Sequence, residues 1–173
     1  MSAQAFGIAR YVLAAYAENV PGDQYAPGNL ANKIVEALYS AEKEEGYQLL
    51  LTGRIVAELY VMLMRSVSEK KGRPGTLYGE IRGMPAWGAK YQAADYIRPN
   101  PGVWHYCKSL DISPLVWQDL HFLRKSGNIG CHAYERMQRE QDLVDVVDKA
   151  RECICRIGLV SAVWAARLQQ SKL

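Results

Sequence analysis

The chain has 173 residues, 49% of them hydrophobic and 23% charged, with a formal net charge of +3. That length suits one ordinary domain with a real core, and the balance of apolar and charged residues excludes a disordered chain. The mild positive charge permits contact with a polyanion without demanding it, and no stretch reaches the roughly 18 uncharged apolar residues of a membrane span. The N-terminus lacks a basic segment followed by an apolar run, so a cytoplasmic protein is expected. Its four cysteines, Cys107, Cys131, Cys153 and Cys155, then read as reduced core residues.

A first helix is predicted over Ala3–Glu18, with Phe6, Ile8, Ala9, Val12, Leu13 and Tyr16 recurring at steps of three and four, and with Pro21 and Gly22 ending it. Asn29 is the expected cap of a second helix that runs to about Glu45 on an apolar face of Ile34, Leu38 and Ala41, and Gly46 breaks or kinks it. A third helix is predicted over Tyr47–Lys71. Leu50, Ile55, Leu59 and Met62 mark one side, with Leu51, Val56 and Leu63 beside them. Arg54 and Glu58 stand four apart on it, as a solvated pair contributing tenths of a kcal/mol or, if turned inward, as a structural clasp.

Lys70, Lys71 and Arg73 make a basic turn, and residues 76–112 carry only short, weak helical patterns. Ser113 and Pro114 are a strong helix start, cap followed by a first-turn proline, ahead of Val116, Leu120 and Leu123 with Leu115 beside them. A last helix, from about Gln141 to Ser171, presents Leu143, Val146, Val147, Ala150, Ile154, Ile157, Val160, Val163 and Trp164, with Gly158 as a point where it can bend. No strand alternation is sustained, so the fold class is all-α, a helical bundle.

The segment from Arg124 to Tyr134 stands apart. Arg124, Asn128 and His132 are spaced by four and four, which places them in one stripe of a helix, at the edge of the apolar stripe of Val116, Leu120, Leu123, Gly127 and Cys131. Gly127 and Gly130 are poor helix formers, and the expected reason for them is close approach of another helix or of a ligand. The residue types suit phosphodiester chemistry. A histidine moves a proton near neutral pH, an arginine grips phosphate oxygens, an asparagine orients either, and Lys125 adds positive charge. RNA brings its own nucleophile, the 2′-hydroxyl, so no metal is required. The purely structural reading pairs Arg124 with Glu58 or Asp119, uses Asn128 to tie a helix end, and places His132 at a helix C-terminus.

The run Leu120-His121-Phe122-Leu123-Arg124-Lys125-Ser126-Gly127-Asn128-Ile129-Gly130-Cys131-His132 resembles the HEPN superfamily, in particular a bacterial branch found alone or attached to restriction-type enzymes. Gly53-Arg54-Ile55-Val56-Ala57-Glu58-Leu59 is similar to that family's upstream arginine–glutamate helix. The likeness covers roughly residues 47–160. It implies a single domain over 1–173: an up-and-down bundle with its core at about 47–165 and an N-terminal helical extension over 1–46. It also implies a homodimer and, in active members, a metal-independent endoribonuclease whose arginine and histidine meet across the dimer. Carried over, Arg124 stabilises the scissile phosphate, His132 transfers protons and Asn128 positions them. Tyr134 matches a tyrosine that a partner antitoxin modifies in toxin members, beside the plainer reading of a partly buried structural tyrosine. Seven residues separate Arg124 from His132, more than in the pattern of active members. The resemblance thus points to an RNA substrate and to an antitoxin or defence component as protein partner, in a bacterial defence, toxin or mobile-element setting.

A rival reading is a non-catalytic adaptor or inhibitor that binds a protein through the glycine-containing helix 113–132. No cofactor or metal is expected. Cys153 and Cys155 project about 200° apart on a helix, His105 and Cys107 lack partners at ligand spacing, and no phosphate-binding glycine loop or serine elbow is present. Trp87, Trp104, Trp117 and Trp164 read as core residues before stacking platforms.

Overall fold

The computed structural model describes residues 3–24, 26–68, 113–136 and 140–171, and within these it leaves aside the side chains of residues 64–68, 114, 129–136, 140–142 and 168–171. Lys70, Lys71, Arg73, Trp87, Trp104, His105 and Cys107 lie outside the described residues, as do the side chains of Cys131, His132 and Tyr134.

The described residues form five helices and no strand: α1 (Ala3–Ala14), α2 (Pro27–Lys43), α3 (Gly46–Ser68), α4 (Pro114–Arg136) and α5 (Glu140–Ser171). The chain is all-α, as its periodicities predict. Its helix ends follow local chemistry. Gly46 sits at φ +57°, a left-handed conformation that suits glycine and separates α2 from α3. At the start of α4 the Ser113 hydroxyl accepts from the Leu115 N–H at 3.2 Å, and the Ser113 carbonyl accepts from the Trp117 N–H at 3.1 Å.

Two boundaries differ from expectation. The first helix stops at Ala14 and gives way to turns rather than reaching Glu18. The second starts at Pro27, with no side-chain cap, because proline's fixed φ and missing N–H suit a first-turn position. Asn29, expected as the cap, instead lies inside the helix and clamps the preceding loop. Its Oδ1 accepts from the Val20 N–H at 2.7 Å, and its Nδ2 donates to the carbonyls of Val20 at 2.9 Å and Asp23 at 2.6 Å.

One hydrophobic cluster joins all five helices: Phe6, Ala9 and Leu13 of α1, Leu30, Ile34 and Leu38 of α2, Val56 and Tyr60 of α3, Trp117 and Leu120 of α4, Ile154 and Trp164 of α5. The expected faces are rotated in places. Ile8 and Val12 on α1, Ile55 on α3, Leu115 on α4 and Val163 on α5 are all exposed. On α3 the buried side follows Val56, Ala57, Tyr60 and Val61. α5 runs unbroken through Gly158, whose missing Cβ makes room for Leu38 and Ala9. Arg151 of α5 reaches the end of α2, donating to the carbonyls of Ala41 at 3.3 Å and Glu44 at 3.1 Å, a cation satisfying the acceptors that a helix C-terminus leaves open. No described helix is long and apolar enough to cross a membrane.

Candidate functional site

The seam between α3 and α4 is unusually close at one level, and two glycines make it so. A Cβ on Gly127 would lie 2.5 Å from Arg54 Cβ and 3.0 Å from its Cδ. A Cβ on Gly53 would lie 3.0 Å from Leu123 Cδ2 and 3.1 Å from Ile154 Cδ1. Gly127 therefore answers the close-approach reading: the element it admits is the stem of Arg54. With its stem across Gly127, Arg54 donates from Nη1 to Asn128 Oδ1 at 2.5 Å, a bond spanning 74 positions of the chain. Arg54 thus reaches across to α4 as an inter-helix clasp. Among the described residues it makes no ion pair, so its positive charge meets the neutral Asn128 amide.

Arg124 lies one turn before Asn128 on the same side of α4 and is half-buried, as are Asn128 and Arg54, while Lys125 is exposed. At about 100° per residue, Arg124, Asn128 and Lys125 fall within roughly a third of the helix circumference. The structure therefore holds the Arg54 guanidinium on the Asn128 amide at the edge of the buried face, on the side of α4 that also carries Arg124 and Lys125. His121 beneath them is wholly buried. Burial first, then the charges of Arg124 and Lys125, push its imidazole down from 6.5 to about 3, so it is neutral throughout the physiological range. A guanidinium held by a neutral amide, on a helix side that carries further cationic residues, is a grouping suited to phosphate oxygens.

Of the residues singled out in the sequence, Arg124 and Asn128, chosen by spacing, and Lys125, chosen by charge, are brought to this seam. His132 and Tyr134 fall on the same helix, one to two turns on, with side chains outside the described residues. Sequence reasoning missed Arg54 as the partner of Asn128 and missed the buried His121. The one available signal was the pairing of Gly53-Arg54 with Gly127-Asn128, a small residue before a polar one on each of two apolar helices.

Asp119, a carboxylate considered for Arg124, sits on the other side of α4 and engages α5. Its Oδ2 accepts from Arg156 Nε at 2.8 Å and its Oδ1 from Arg156 Nη2 at 2.9 Å. The buried Cys153 thiol donates to the same carboxylate at 3.3 Å. Gln118, Phe122 and Lys149 complete a cavity of about 140 Å³ there. A wider apolar groove of about 290 Å³ lies between the start of α3 and α5, lined by Leu143, Val144 and Val147 with Glu45 and Asp148 at its rim. No three His, Cys, Asp or Glu side chains converge as a metal site among the described residues.

Comparison with known protein families, with curated proteins and with solved structures finds no match to this chain.

Proposed function

We propose that the α3–α4 seam is an RNA-binding site and that the chain is a HEPN-like, metal-independent endoribonuclease working as a homodimer. The observation that carries this reading is the Arg54 guanidinium held on Asn128, on the side of α4 that carries Arg124 and Lys125 and in the helix that continues to His132. In this reading the arginines hold a phosphodiester and offset the charge that grows on its oxygens. His132 takes the proton of the RNA 2′-hydroxyl, and that oxygen attacks phosphorus. The P–O5′ bond breaks, a proton from solvent water goes to the departing 5′ oxygen, and the products are a 2′,3′-cyclic phosphate and a 5′-hydroxyl. Neutral, buried His121 is no candidate for that transfer, since no solvent or substrate reaches it.

The test is cleavage of a mixed single-stranded RNA pool in EDTA by the wild type and by His132→Ala. Cleavage that is lost in the variant supports the reading. If neither protein cuts or retains RNA, the reading fails, and the rival in which α4 docks a protein partner takes its place.

A further inference from the structure

Resting on that reading, we infer that Arg54 of α3 is a phosphate-contact residue of the seam and that Asn128 is its positioning residue. The resemblance matches Arg54 to the family's upstream arginine–glutamate helix but assigns phosphate binding to Arg124 of the motif helix.

Three observations converge on Arg54. Its stem lies in the space left by the absent Cβ of Gly127, which fixes its path toward α4. Its Nη1 is held by a neutral acceptor, Asn128 Oδ1, at 2.5 Å. An amide orients a guanidinium without cancelling its charge, whereas a carboxylate at the same place would consume both the charge and the donors. Guanidinium carries five N–H donors in a rigid fork, and the Asn128 bond occupies one. Along the helix the position also matters. Arg124 precedes His132 by eight residues, about 12 Å of rise, whereas Asn128, where the Arg54 guanidinium is held, precedes it by four, about 6 Å. The clasp therefore brings a second arginine to the middle of the motif stripe, between the two ends whose spacing is stretched in this sequence.

A merely structural clasp and a phosphate subsite make opposite predictions for one substitution. Asn128→Asp gives Arg54 a charged acceptor of the same shape, which strengthens the clasp but neutralises the cation. The experiment is fluorescence anisotropy of a labelled, mixed-sequence single-stranded RNA with the full chain, in EDTA, over a salt series, for the wild type, Asn128→Asp, Arg54→Gln and the remote control Lys33→Gln. Thermal unfolding of each protein is followed in parallel. Asn128→Asp is expected to keep or raise the unfolding midpoint while weakening RNA binding about tenfold and lowering the slope of log K against log salt by about 0.7, the value for one phosphate contact on a single strand. Arg54→Gln is expected to show the same loss of slope, and Lys33→Gln neither change. Wild-type affinity and slope in a folded Asn128→Asp protein would overturn the assignment and leave the RNA reading standing. Absence of RNA binding by the wild type itself would overturn both.

Discussion

Asp119 on α4 and Arg156 on α5 form a two-pronged ion pair, with both carboxylate oxygens engaged at 2.8 and 2.9 Å. The carboxylate is largely buried and the arginine is partly open to water, its side chain 42% exposed, so the pair is screened on one side only. Asp119→Ala leaves Arg156 and the Cys153 thiol facing an empty, partly desolvated space. We expect a loss of about 1–3 kcal/mol in denaturant unfolding, below the full cost of a wholly buried pair. A loss under about 0.5 kcal/mol, typical of exposed pairs, would contradict the clasp.

The same cluster governs thiol chemistry. Burial, then Asp119, pushes Cys153 up to about 12, and burial pushes Cys155 up to about 11. Both thiols are then protonated at pH 8 and closed to reagent. Iodoacetamide at pH 8 should leave both unlabelled in the native protein and label both in guanidinium, as read by peptide mass spectrometry. Native labelling of Cys153 as fast as in denaturant would refute the burial.

Two glycines in helices should respond oppositely to alanine. Gly7 of α1 has nothing within 4 Å of a Cβ, so Gly7→Ala should stabilise by about 0.5–1 kcal/mol through helix propensity. Gly127→Ala gains the same propensity but drives its methyl against the Arg54 stem at 2.5 Å. Forcing the seam apart should cost about 1–3 kcal/mol overall. Equal stabilisation by both substitutions would show that α3 and α4 are not in close contact there.

Much of the bundle was legible because its signals are local. Ser113-Pro114 opens α4 and Gly46 parts α3 from α2 by chemistry that lies within a few residues. The run of apolar residues from Val147 to Trp164 is long enough to fix the buried side of α5. The errors arose where one side chain had two uses. Asn29 can cap a helix or clamp a loop, and only the position of residues 20–23 decides for the loop. Ile8, Ile55 and Val163 match a helical period yet fall outside the buried arc, because a stripe of apolar residues marks the core to within one residue's rotation. In the candidate site, Arg124 and Asn128 were visible by spacing and Lys125 by its charge. Arg54 was not, since its bond to Asn128 depends on how two helices distant in sequence are packed. His121 carries no local signal of burial, and the packing of α4 turns it into the core.

His121 gives the fold a definite pH dependence. The unfolded chain takes up a proton on this residue near 6.5, while the folded chain resists until about 3. The unfolded state therefore binds more protons between those values, and stability present above about 6.5 is lost as pH falls through the window, by up to about 1.4 kcal/mol per pH unit. Urea unfolding from pH 7 to 4.5 should show this slope in the wild type and a shallower one, by about one proton, in His121→Leu. Equal slopes in the two proteins would mean that His121 is protonated in the folded state.

Photocross-linking of 4-thiouridine-containing single-stranded RNA to the full chain, with the attachment points read by mass spectrometry, locates the RNA on the protein. Binding at the α3–α4 seam predicts cross-links within residues 50–58 and 121–136. Cross-links confined to the other helices, or none at all, would contradict it.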